Sequence, residues 1–317
     1  MLSPNNRPSA TDRPRSLVVA EGLAWAGLSV AILSGWFIVT RLGLSHHLGI
    51  WDVVALRFGE GAVLLTPTLL FGGSRVPLRA WLGGILLAVL WGAPFILLVA
   101  TGLQLTSPTV ASAIAPALMP IFAGIFVWMS RREIPRRLEI AGYALISIGL
   151  VALVRSHAST GGHVDPVGIL SLIVAAAMWA LYALRLKAGA FSPLQATALI
   201  CFWSALFYVP VYFGLGLSNL SAASATELSY QSVYQGVLMS VVASFAFNRA
   251  VASLGPRAAA AIVALVPVAV TVFAIPVLDE FPSLLASVSI CGIAFGVMLA
   301  ATPAQAKTTL IREGETR

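Results

Sequence analysis

The sequence predicts an all-α integral membrane protein, ten transmembrane helices built as two inverted five-helix repeats. Three observations carry this reading. The first is hydropathy. Of 317 residues only 10% are charged and 59% are hydrophobic, with a mean hydropathy of +0.93. A water-soluble domain of that length carries far more charge. The second is an internal duplication. MPIFAGIFVWMSRREIP followed by IAGYALISIGLVAL returns as VPVAVTVFAIPVLDEFP followed by SVSICGIAFGVMLA. Pro120 aligns with Pro267, Glu133 with Glu280, Pro135 with Pro282 and Gly149 with Gly296, every pair at an offset of 147 residues. A shared offset at Pro, Glu and Gly is informative where coincidences of Ala or Leu are not. The third is the placement of Lys and Arg along the chain.

Taken in order, residues 1–17 are polar and read as a cytoplasmic tail. The apolar run after them is too long for a signal-peptide core and has no small-residue cleavage site, so it reads as a retained first span. A spanning helix needs about 20 apolar residues. Runs at 18–43, 50–71, 79–100, 107–129 and 138–155 meet that need and form a first repeat, 18–155. A loop rich in Gly, Ser and His follows at 156–165. Runs at 166–188, 192–215, 232–253, 256–277 and 282–302 form the second repeat, 166–302, and 303–317 is a second cytoplasmic tail. The longest other link is 216–231, rich in Ser and Ala. The duplication reaches upstream too. Trp36 with Trp179, Leu56 with Leu199, Ala62 with Ala205 and Pro67 with Pro210 share an offset of 143, so an indel of four residues (147 − 143) separates the two sets. Five spans per copy is an odd number, so the second copy enters the bilayer from the opposite side.

Charge placement agrees. With the N-terminus inside, the inner segments hold Arg7, Arg13, Arg15, Arg75, Arg79, Arg131, Arg132, Arg136, Arg137, Arg185, Lys187, Arg257, Lys307, Arg312 and Arg317. The outer segments hold only Arg41 and Arg155. Both termini are therefore expected in the cytoplasm, and a bacterial-type inner (plasma) membrane is the expected location. The formal charge of +7 belongs to this orientation signal, and no nucleic-acid partner is expected. The basic SRREIPRR turn and its acidic counterpart LDEFP face opposite sides, as inversion requires.

Several function classes lack their signatures. His46, His47, His157 and His163 all fall in outer loops without metal-site spacing. Cys201 and Cys291 sit in apolar runs as packing residues. No phosphate-cradling glycine loop with a following Lys occurs. Catalytic residues, metal and cofactor are all expected to be none, and the chain is not expected to be an enzyme.

At this point the residues resemble the EamA branch of the drug/metabolite transporter superfamily. The resemblance covers both halves. It rests on Arg57 in LRFGEGAVLL, on Pro120, Glu133 and Gly149, and on FNRAVASLGPRAAAAIVALVPVAV with Glu280 and Gly296. The family pattern ends each fourth helix with Gly-Glu. Here those places read Arg132-Glu133 and Asp279-Glu280, so the glycine is replaced twice. The resemblance implies a ten-helix inverted-repeat carrier, most often an exporter of amino acids, metabolites or drugs.

Carrier physics places a cavity near the mid-plane between the repeats, where broken helices expose backbone. Pro116 and Pro120 interrupt the fourth span, and Pro267 and Pro276 the ninth; Pro120 and Pro267, as repeat partners, are candidate pathway hinges. Arg57 and Glu60, three residues apart, lie within pairing reach inside the second span. Charges at that depth are expected to be paired or cavity-facing. Arg57 reads as a substrate-anion site or as a structural or gating ion pair, the latter favoured; Glu60 is the candidate for proton coupling. Ser240, Ser244 and Asn248, spaced by four, draw a polar stripe expected to wall the cavity, and Arg249 is expected to snorkel to the surface. Trp36, Trp91, Trp179 and Tyr182 are deep aromatics that either line a pocket or pack between helices. Trp51 and Trp81 read as interface anchors.

The expected function is secondary transport of a small organic solute, amino acid or drug-like, by alternating access, with export the direction the resemblance implies. An importer of sugar- or nucleotide-like solutes and a non-transporting membrane scaffold subunit are the alternatives. The expected partners are a small-molecule substrate and the lipid bilayer, with the chain monomeric or a homodimer.

Overall fold

The computed structural model describes residues 14–71, 76–188, 191–255, 263, 265–279 and 281–301. Among them the regular structure is helical throughout. The elements are α1 (Arg15–Ser45), α2 (Ile50–Leu70), α3 (Leu78–Trp91), α4 (Ala93–Leu105), α5 (Pro108–Arg131), α6 (Arg137–Ser159), α7 (Pro166–Ala188) and α8 (Pro193–Gly214). After a short 3₁₀ turn come α9 (Ala225–Leu254), α10 (Val266–Leu278) and α11 (Leu284–Ala301). Taking α3 and α4 as one span, nine spans among the described residues are long and apolar enough to cross a membrane, and α10 is a shorter apolar helix. The chain is an integral multi-pass membrane protein.

Local chemistry sets the ends. Ser107 accepts from the Val110 N–H (3.2 Å), Ser192 from Gln195 (3.2 Å) and Ser224 from Glu227 (3.2 Å), capping α5, α8 and α9. Asp52 Oδ2 accepts the Gly49 N–H at 2.7 Å, and Glu139 Oε2 the Arg136 N–H at 2.9 Å, at the starts of α2 and α6. Pro108 and Pro193 occupy first turns, where a missing N–H costs nothing.

The repeats interlock by reciprocal pairing. α1 packs on α9 and α10 of the other repeat, while α7 packs on α3, α4 and α5. α2 lies along α8, α5 meets α10, and α6 runs the length of α11. These cross-repeat contacts exchange with one another or map onto themselves, the signature of a pseudo-two-fold axis in the membrane plane. The α6–α11 seam is closest. A Cβ on Gly142 would stand 2.6 Å from the Gly296 carbonyl oxygen and 2.7 Å from the Ala300 nitrogen. Only glycine permits backbones that near.

Four expectations change. The third span is not one helix over 79–100. It breaks at Gly92 (φ −95°, ψ −142°) into α3 and α4, with Pro94 in the first turn of α4. The Ala93 N–H, freed by the break, bonds Ser204 Oγ at 3.2 Å. Residues 225–231, expected within a link, begin α9, because Ser224 caps there. The fifth span runs on to Ser159 into the expected loop. The ninth span is helical over Val266–Leu278, and most of 256–265 lies outside the described residues. So do Glu280, Arg257, Arg75, residues 1–13 of the N-terminal tail and the tail 303–317.

Helix α9 departs from α geometry over Ser232–Ala243, which winds as a π-helix. The offset of 143 maps Gly92 onto Gln235, inside this stretch (235 − 92). The third span of each repeat is therefore distorted at matching depth, by a break in one copy and by a wide turn in the other. Wide turns and breaks concentrate where function needs them.

Candidate functional site

The break at Gly92 and the π stretch of α9 flank a void between the repeats. Its volume is about 30 Å³, and Trp36, Phe37, Arg57, Trp91, Phe95 and Trp179 are prominent in its wall. That is room for a water or two, not for an organic solute, so the cavity is contracted here. A smaller void of about 10 Å³ adjoins it, sharing Arg57 and Trp91 and adding Ser29 and Ser244. Irregular backbone at membrane depth is tolerated where it borders such a cavity. Pro116 of α5 also lines it.

Arg57 is the outstanding side chain. It is 2% exposed, in the first half of α2, and its Nε and Nη1 have no hydrogen-bond partner. The Phe58 ring lies 5.5 Å from its guanidinium carbon, a cation–π contact that offsets part of the desolvation. The Ser240 hydroxyl donates to the Arg57 backbone carbonyl, tying the residue to α9. Arg57 and Glu60, within pairing reach by their spacing, form no ion pair. Arg57 turns toward the void, while the Glu60 carboxylate lies against Gly236 of α9, with Ser232 a hydrogen-bonding neighbour. Three residues on a helix still differ by about 60° around the axis, enough to send the two side chains to different neighbours.

The aromatic wall is a connected stack. Trp91 stacks on Tyr182 (centroids 4.9 Å, 7°) and on Phe95 (4.4 Å), and meets Trp179 at 4.8 Å and Phe247 at 5.7 Å. The indole nitrogens of Trp91 and Trp179 are buried without partners. Trp36 differs, because its Nε1 donates to Gln235 Oε1 at 2.7 Å. Gln235 Nε2 donates to Thr40 Oγ1 (3.0 Å) and Gln231 Oε1 (3.1 Å), and Gln231 Nε2 to the Val39 carbonyl (2.7 Å). This chain of bonds latches α1 to α9 beside the void.

The sequence candidates thus divide. Trp36, Trp91, Trp179 and Arg57 surround one void, and Ser244 the smaller one. Tyr182 backs the wall, its hydroxyl donating to Asn248 Oδ1 at 2.7 Å. The expected stripe Ser240–Ser244–Asn248 splits. Ser240 faces Arg57, and Asn248 faces α8, donating to Thr197 Oγ1 at 2.9 Å. Pro120 is half-buried and Pro267 buried in helix contacts, and neither borders either of these two voids. Arg249 pairs with Glu21 at 2.5 Å near the basic end of the bundle.

Sequence reasoning passed over Gln231, Gln235 and Asp52. The first two are spaced by four in an apolar run, a signal as strong as the serine stripe. Asp52 is fully buried and accepts from the Tyr212 hydroxyl (2.5 Å) and the Asn219 N–H (2.9 Å), pinning the start of α2 to the end of α8. Among the described residues no cluster of His, Cys, Asp or Glu is suited to a metal.

Two inverted repeats enclosing a buried, polar-tipped cavity are the build of a membrane carrier. The model of the EamA-like transporter family matches residues 20–155 and again 166–302, and the chain belongs to that family, one of non-enzymatic transporters within the drug/metabolite transporter superfamily. A solved structure titled only "Crystal structure of protein" is similar, with a TM-score of 0.63 and 19% identity over 90% of this chain and 97% of that one. At that identity the likeness concerns the fold alone. No curated protein matches.

Proposed function

We propose that this transporter moves a small organic solute by alternating access, the unit 18–155 rocking against 166–302 about the cavity at Arg57. The observation that supports this most is the void between the repeats, where a buried guanidinium with no acceptor for its Nε and Nη1 meets a wall of aromatic rings. A structural core has no use for a buried cation without a counter-charge, whereas a binding site does. The two ends are held by separable contacts. Trp36–Gln235–Gln231 latches α1 to α9 on one side, and Glu21–Arg249 joins the same helices nearer the basic end. Releasing one while keeping the other opens the cavity to one side at a time.

The direction is export, following the family resemblance. The location is the inner membrane with both termini cytoplasmic, supported by the Lys and Arg bias. A phosphorylated sugar or nucleotide would bring two or more negative charges to a single cation, so the importer reading is set aside. The test is purified protein in vesicles with counterflow of labelled organic solutes. Accelerated exchange of at least one solute is expected. A protein that moves none of them yet copurifies with a stoichiometric partner is a scaffold, and the carrier reading falls.

A further inference from the structure

The cavity's polar atoms are of one kind. Arg57 Nε and Nη1, Trp91 Nε1 and Trp179 Nε1 are all buried donors without acceptors, and all three side chains border the same void. Among the described residues no acidic side chain lines it, and Glu60 is turned to Gly236. A buried donor left unbonded costs free energy, and a buried guanidinium, always protonated, costs more. The group that satisfies the set is an acceptor bearing one negative charge. The remaining wall, Phe37, Phe95 and Trp36 with Ile96 and Val99, suits an apolar or aromatic body.

We infer that the cavity selects organic monoanions, a carboxylate or sulfonate on an aromatic or apolar body, held by Arg57 with the indole N–H groups of Trp91 and Trp179. The oxyanion accepts from the Arg57 fork and from the two indoles, and the ring lies among the aromatic side chains. Charge arithmetic separates this from neighbouring classes. A monoanion leaves the occupied site neutral. A zwitterionic amino acid leaves it at +1 with its ammonium facing a guanidinium, an amine raises it to +2, and a phosphate ester overshoots to a negative site. The inference deepens the carrier reading above and rests on it for the solute's passage, but not for its binding.

The test compares solutes that share a phenyl body. Phenylacetate, phenylmethanesulfonate, phenylalanine and phenethylamine are titrated calorimetrically into the detergent-solubilised full-length protein, with indole fluorescence as a second readout. Both anions are expected to bind at least 10-fold more tightly than phenylalanine, with phenethylamine the weakest, and to perturb the indole emission. Arg57→Met is expected to weaken the anions about 10- to 100-fold, the range of a hydrogen bond to a charged group, and Arg57→Lys to recover part of this. Should Arg57→Met fail to fold, the wild-type series decides alone. Equal or tighter binding of phenylalanine or phenethylamine, or no binding of either anion at millimolar concentration, overturns the inference. Vesicle counterflow separates the two ideas. Binding of phenylmethanesulfonate without movement keeps the anion site and removes the carrier, while movement of phenethylamine or phenylalanine but neither anion keeps the carrier and removes the anion site.

Discussion

Arg132 and Asp279 hold the same left-handed backbone conformation, φ 57° and 56°, at the ends of α5 and α10. They are repeat partners at the offset of 147 (279 − 132). Among the described residues they are the non-glycine positions with positive φ. They also occupy the places where the family pattern carries glycine. Both copies end the helix in a conformation that suits glycine but fill it with a residue bearing a Cβ, so each site stores strain.

Restoring glycine should therefore stabilise the protein. Arg132→Gly is expected to gain about 0.5–1 kcal/mol. Asp279→Gly should gain less, since Asp tolerates the left-handed region better than Arg. Thermal unfolding in detergent checks both, and a lower midpoint for Arg132→Gly would contradict the strain argument.

The α6–α11 seam gives the opposite expectation. Gly142→Ala drives a methyl into the backbone at Gly296 and Ala300, which cannot move aside as a side chain would. A loss of about 1–3 kcal/mol is expected. Gly27→Ala, where a Cβ meets nothing within 4 Å, serves as the control and should be neutral or mildly stabilising in the same unfolding assay.

Asp52 joins three groups from two repeats: the Gly49 N–H, the Tyr212 hydroxyl and the Asn219 N–H. Asp52→Ala strands these donors and removes a charge-assisted cap, with an expected cost of about 2–3 kcal/mol. Asp52→Asn keeps the shape and part of the acceptor capacity and should cost less. A double-mutant cycle with Tyr212→Phe measures the coupling, and additive effects would show that the two residues act apart.

Glu60 sits outside the void, against Gly236. Glu60→Gln should leave the pH profile of counterflow unchanged and alter only the fit of α2 on α9. A flattened profile would return this carboxylate to a coupling role.

The helix count and the duplication were legible because lipid imposes them. A bilayer sets span length, and a shared offset at Pro, Glu and Gly survives drift. The break at Gly92 was less legible. Gly-Ala-Pro inside an apolar run marks a weak point, but a glycine in a helix is tolerated until something like Ser204 takes the freed N–H. The serine stripe misled for a different reason. Spacing by four puts side chains near one face, but it does not say which neighbouring helix each meets, and along α9 those neighbours change from Arg57 of α2 at Ser240 to Thr197 of α8 at Asn248.

The spans, their inversion and the carrier class could thus be read without any contact between helices, since they follow from local hydropathy, chain length and charge near each loop. That Arg57 shares its void with Trp91 and Trp179 and does not pair with Glu60, and that Gln235 holds Trp36, came from the packed fold. Those pairings depend on which faces of distant helices meet, and a change of about 60° around one helix axis is enough to reassign them.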